Sequence, residues 1–126
     1  MTAASLTGLA LAGASANPVK DIGHCTAQGS NASCDTSGGY AGHPAWVQVN
    51  VKANPNQKVD VYWDIFCNKG QSSSSNSGNF TARTPLHRKL LLPVKNPDNC
   101  DITADVSFHS LYGKGMINAW ITTQRR

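Results

Sequence analysis

The groups best equipped for chemistry in this chain of 126 residues are its aspartates, histidines and cysteines, so their spacing comes first. His24, His43, His87 and His109 stand singly, without the H-x-H or H-E-x-x-H pairing that brings two imidazoles onto one metal. A G-x-S-x-G nucleophile elbow is absent. There is no Glu, and the acids are seven Asp. Asp64, Asp101 and Asp105 could form the carboxylate pair of a glycoside hydrolase. That chemistry needs one acid held protonated in a cleft, whereas these residues alternate along strands toward an open face. Asn96, Asp98, Asn99 and Asp101 carry oxygens of the kind a calcium loop uses, but a run of Asx turns has the same composition. The sequence therefore reads as a non-enzymatic protein with no cofactor and no metal.

The cysteines point to a compartment. Residues 1–16 carry no charge and contain LTGLALAGASA, an apolar run ending in Ala14-Ser15-Ala16. This is the h-region and A-x-A pattern of a secretory signal peptide, which makes 17–126 a single mature domain and the protein secreted. A basic n-region is missing, so the expected start lies upstream of Met1. No later apolar run approaches the roughly 20 residues of a membrane span, and no membrane anchor is expected. Four cysteines in a small exported chain favour two disulfides over a metal, with three connectivities open. If both form, no thiol remains as a nucleophile. The formal charge of +4 survives loss of residues 1–16. Without a dense Lys/Arg run it does not imply nucleic acid as a partner. Asn31-Ala32-Ser33 and Asn79-Phe80-Thr81 are glycosylation sequons, meaningful only in a eukaryotic secretory pathway.

The elements that would position these groups show a period of two. In 59–67, VDVYWDIFC, residues Val59, Val61, Trp63, Ile65 and Cys67 share one face of a strand, and Asp60, Tyr62, Asp64 and Phe66 the other. In 100–110, Cys100, Ile102, Ala104, Val106 and Phe108 oppose Asp101, Thr103, Asp105, Ser107 and His109. Val47, Val49 and Val51 alternate with Gln48 and Asn50, and Ile117, Ala119 and Ile121 give a last strand its inward face. A short strand is expected over 24–29, another over 80–84 ahead of Pro85, and a third within 86–94 that buries Leu90 and Leu92. Residues 17–21 read as a flexible leader, Ser37-Gly38-Gly39 as a chain break, and GQSSSSNSG at 70–78 as a mobile polar loop. With no amphipathic helix, the fold class is all-β: an immunoglobulin-like β-sandwich of about seven antiparallel strands, with a small β-barrel as the alternative.

Pairing 59–67 with 100–108 so that Cys67 meets Cys100 sets Ile65 against Ile102, Trp63 against Ala104, Val61 against Val106 and Val59 against Phe108. All five contacts are apolar. This register favours the disulfides Cys25–Cys34 and Cys67–Cys100. A hairpin at 111–114 would then put Asp105 beside both Tyr62 and Trp120. The outward residues Tyr62, Asp64, Phe66, Asp105 and Trp120 form the candidate ligand site, in which rings stack on the C–H faces of a sugar and carboxylates accept its hydroxyls. An extracellular glycan, in particular a cell-wall glycan, is the expected ligand, with an extracellular protein as the other class of partner. The alternative function is inhibition of extracellular proteases by the 83–89 segment, with Arg83 or Arg88 entering a trypsin-like pocket.

Overall fold

A computed structural model describes residues 17–30, 32–41, 44–70, 72–93 and 101–125. The expected signal peptide, His43, the 96–99 turn and Cys100 lie outside the described residues. The alternating segments form eight strands: β1 (Val19–Gln28), β2 (Ser33–Tyr40), β3 (Pro44–Asn54), β4 (Lys58–Lys69), β5 (Ser72–Arg83), β6 (Leu86–Lys89), β7 (Asp101–Ser110) and β8 (Met116–Arg125). Their pairing is nested and antiparallel: β1 with β8, β2 with β7, β3 with β6, β4 with β5. Two further ladders, β3 with β8 and β4 with β7, complete two open four-stranded sheets, β1-β8-β3-β6 and β2-β7-β4-β5. One long hairpin doubled over in this way is the jelly-roll form of the β-sandwich.

The core is what the period-two pattern demands. Val47, Val49, Val51, Ile117, Ala119 and Ile121 from one sheet meet Val59, Val61, Ile65, Ile102, Ala104, Val106 and Phe108 from the other, all buried. Each large side chain among them contributes about 1.5–3 kcal/mol by leaving water. At one end a buried polar cluster fastens three connections between the sheets. The Gln57 backbone N–H donates to Thr84 Oγ1 (2.9 Å), its side-chain amide donates to the Pro55 carbonyl (2.9 Å), and Ser110 donates to its side-chain oxygen.

Several expectations are corrected by this topology. The immunoglobulin-like order fails because β7 and β8 lie in different sheets, so 111–115 is a crossing between sheets and not a hairpin. The small barrel is not found either, since both sheets are open. The β4–β7 ladder is antiparallel with the expected faces, but two residues off. Val61 meets Phe108, Trp63 meets Val106, Ile65 meets Ala104, Cys67 meets Ile102, and Val59 meets Ser110. A slip of two keeps every side chain on its own face, so alternation alone could not detect it.

The 70–78 stretch is not a loop. β5 runs through it and pairs with β4 along its whole length. The ladder satisfies its backbone groups, and as an edge strand it can carry serines on both faces. Ser37-Gly38-Gly39 likewise continues β2 rather than breaking it. At Gly38 a Cβ would sit 1.6 Å from the Ile22 carbonyl oxygen, so only glycine allows β1 to pass so close. The leader is shorter than expected, with β1 beginning at Val19. The Cys25–Cys34 disulfide is present with Cα atoms 6.0 Å apart, but it ties β1 to β2 across the two sheets and closes no hairpin within one. Cys67 is disulfide-bonded, while Cys100, its expected partner, is outside the described residues.

Candidate functional site

Each sheet turns one face to solvent, and the ladders fix what stands beside what. On the outer face of β2-β7-β4-β5 one row reads Asp35, Ser107, Tyr62, Asn79, and the next Ser37, Asp105, Asp64, Ser77. A third row reads Gly39, Thr103, Phe66, Ser75. Tyr62 is 51% exposed. It borders a shallow hollow of about 240 Å³ shared with Asp64, Asp105, Ser77, Asn79 and Ser107. Beneath the β5 side of this face Trp63 packs on Gly78, where a Cβ would lie 2.7 Å from the indole. Asp64 and Asp105 face each other directly across the β4–β7 ladder, and neither side chain has a partner among the described residues. Like charges so placed cost stability. Asp60, in the row beyond Tyr62, accepts a hydrogen bond from Thr81.

Four of the five candidate ligand residues, Tyr62, Asp64, Phe66 and Asp105, thus share one face. Trp120 does not. It belongs to β8 in the other sheet, opposite His24 on β1 and Asn50 on β3, and points outward on the far side of the sandwich. The proposed row of Tyr62, Asp105 and Trp120 is corrected accordingly. Its premise was a β7–β8 hairpin, and Tyr62 itself stands opposite Ser107.

Trp120 instead sits in an organised face that sequence reasoning passed over. Asn50, 2% exposed, lies at its centre with its amide fully engaged. Asn50 Oδ1 accepts from His87 Nδ1 (2.7 Å) and Gln48 Nε2 (2.8 Å), and its Nδ2 donates to Thr122 Oγ1 (3.0 Å) and the Trp120 carbonyl (3.3 Å). His87 meets Trp120 edge-on with centroids 6.2 Å apart. Lys52 Nζ stands 5.9 Å from the centre of a Trp120 ring, and Lys89 Nζ 5.2 Å from that of Trp46. The Trp46 indole N–H donates to Gln124 (3.1 Å). An apolar hollow of about 500 Å³ continues beyond Trp46 and Lys89 past Leu91 and Leu92. The sequence did carry half of this: Trp46, Gln48, Asn50 and Lys52 are the positions between Val47, Val49 and Val51.

The two faces differ in charge. Strands of the β2-β7-β4-β5 sheet hold five aspartates and three cations, Lys58, Lys69 and Arg83, all three at strand ends. Strands of the other sheet hold five cations and one aspartate, Asp21. Lys52 and Lys89 take outward positions, and Lys20 and Arg88 lie opposite the buried Thr123 and Val49. The first sheet thus presents an acidic face and the second a basic face.

The inhibitory candidates are placed differently. Arg83 ends β5 opposite Lys58, and the Arg88 guanidinium lies 4.1 Å from the centre of the Phe80 ring, covering the gap between the edge strands of the two sheets. The Asn76 amide closes the same gap by donating to the Leu91 carbonyl (3.1 Å). No group of three or more His, Cys or Asp suited to a metal ion occurs among the described residues, and no helix among them is long and apolar enough to cross a membrane.

No protein-family model matches the chain, and no curated protein matches it in sequence. A solved structure, that of TmCBM61 in complex with β-1,4-galactotriose, superposes with a TM-score of 0.45 at 10% identity, covering 86% of this chain and 89% of that one. A likeness of that degree carries no argument about the site.

Proposed function

We propose that this chain is a secreted, non-enzymatic glycan-binding protein that holds a neutral saccharide, such as a cell-wall glycan, on its acidic face. The observation that carries the reading is the hollow between half-exposed Tyr62 and the unpartnered pair Asp64 and Asp105. A pyranose lays its C–H face on the phenol ring while its hydroxyls donate to the two carboxylates, and hydrogen bonds to ionised acceptors are the stronger kind. Hydroxyl donors between Asp64 and Asp105 also relieve their repulsion, so the cost in the empty protein becomes affinity in the complex. Asn79, Ser77 and Ser107 offer the remaining donors and acceptors around the rim.

Binding fits this face better than hydrolysis does. Both carboxylates are exposed on an open sheet, whereas glycoside cleavage uses an acid enclosed against its substrate. Export is supported by the apolar run at 1–16 and by the Cys25–Cys34 disulfide, a bond typical of oxidising compartments. The inhibitory alternative gains nothing from the geometry, because Arg88 is spent on Phe80 and the segment is a strand laid against β3.

Retention on insoluble neutral glycans tests the proposal, with Tyr62→Ala and the double variant Asp64→Asn/Asp105→Asn as controls. At least tenfold weaker retention is expected for each. No retention of the wild type across a glycan panel, or equal retention of wild type and both variants, contradicts it.

A further inference from the structure

The basic face has a repeated unit that the neutral-glycan reading does not use. Lys52 Nζ lies over a ring of half-buried Trp120 and Lys89 Nζ over that of half-buried Trp46, so an aromatic ring and an ammonium occur together twice. All four side chains are on the outer side of β3, β8 and β6, since Val47, Val49, Val51, Ile121 and Leu86 take the inner positions. Along β3, Trp46 lies four residues from Asn50, the partner of Trp120, which spaces the two units by about 13 Å at the rise of a strand. We infer that the basic face is a second binding site, for an acidic polysaccharide whose anionic sugars repeat along the strand direction.

The chemistry follows the unit. Each lysine, flexible and exposed, swings off its ring to meet the carboxylate or sulfate of an anionic sugar, and the indole it leaves gives a surface for the C–H face of that sugar. Gln48, whose Nε2 donates to Asn50, and Asn118, whose Oδ1 meets His24, supply the other end of each amide for hydroxyls between and beside the two units. The Asn50 network holds the platform in place before any ligand arrives. His87 Nδ1 and both ends of the Asn50 amide are committed to protein partners, so the ring of His87 stays edge-on to Trp120. A site organised in advance loses less entropy on binding. Asp21 is the sole aspartate on the strands of this sheet, so an anion meets little repulsion there, whereas five aspartates turn it away from the opposite face.

A polysaccharide is favoured over a nucleic acid by the cations themselves. The face offers two well-placed lysines, and the arginine of β6, Arg88, is held over Phe80. Phosphate backbones are gripped by dense basic stripes in which arginine forks lead.

The test is binding of the intact chain to polygalacturonate (carboxylated) and dextran sulfate (sulfated), with the single-stranded oligonucleotide dT20 as the competing class. Binding to at least one polysaccharide is expected at 50 mM salt, weakening at least tenfold by 200 mM. Lys52→Ala/Lys89→Ala should weaken it at least tenfold, and Lys52→Arg/Lys89→Arg should keep it within about threefold. Trp120→Ala should also lose at least tenfold, with Trp120→Phe losing less. The lysine variants leave neutral-glycan retention on the acidic face unchanged, so the two sites succeed or fail separately. No binding to either polysaccharide, full binding by the double alanine variant, or tighter binding of dT20 than of both would overturn the inference. The ratio between the two polysaccharides identifies the anionic group.

Discussion

The acidic and basic faces are built by the same rule and end as opposites. In the central strands of both sheets the inward residues are those the core buries, and the outward ones are free to be chosen for other reasons. On the basic face those residues bind one another: Asn50 joins Gln48, His87 and Thr122 in one hydrogen-bonded network, and His87 meets Trp120 edge-on. On the acidic face Asp64 and Asp105 confront each other without partners, beside a tyrosine that is half in solvent. One face lends stability to the sandwich, and the other gives some up. A surface that withholds hydrogen bonds from itself has them available for something else, which is why the acidic face carries the functional proposal and the basic face needs a ligand of different charge.

Substitutions can break that contrast in order of size. Asn50→Ala should cost most, about 3 kcal/mol, because it removes a buried amide and leaves buried Thr122 and the Trp120 carbonyl without their donor. Half-buried Gln48 and exposed His87 lose their acceptor with it. Urea unfolding reads this directly, and a loss below about 1 kcal/mol would mean the network adds little. Gly78→Ala comes next, at about 2 kcal/mol, since the new methyl drives into the Trp63 indole and must displace it. Near-ultraviolet circular dichroism should report the moved ring. Arg88→Ala should cost about 1 kcal/mol by uncovering Phe80, visible as a small drop in urea midpoint. The smallest effect has the opposite sign. Asp105→Asn should stabilise by about 0.5 kcal/mol through relief of the Asp64 repulsion, while weakening glycan retention. A destabilised Asp105→Asn would mean that the aspartate is structurally committed and that the contrast between faces is false.

Much of this was legible in the sequence, and the limit has a physical form. Alternation reports which way a side chain points, so the inward sets of β3, β4, β7 and β8 could be read from valines and isoleucines alone. It does not report which sheet a strand joins. The partners β1 with β8 and β2 with β7 are brought together from opposite ends of the chain, and nothing local in 116–125 distinguishes a neighbour of β7 from a neighbour of β1 and β3. Trp120 was therefore correctly outward and assigned to the wrong side. The two-residue slip in β4–β7 escaped for the same reason of parity.

β5 was hidden differently. Its polar run has no apolar periodicity before Phe80, because an edge strand is secured by one ladder and needs few buried side chains. The Trp46, Gln48, Asn50, Lys52 series was visible as the outward half of β3. Its meaning depended on His87 and Lys89 from β6 and Trp120 from β8, contacts that only the fold supplies.

The division of ligands between the two faces can be read in one titration. Oligogalacturonate added to the ¹⁵N-labelled chain should shift the backbone amides of 46–52, 87–89 and 118–122. Those of 60–66 and 103–107 should stay in place. Shifts concentrated at 60–66 and 103–107, or no shifts at concentrations where the polymer binds, would contradict the account.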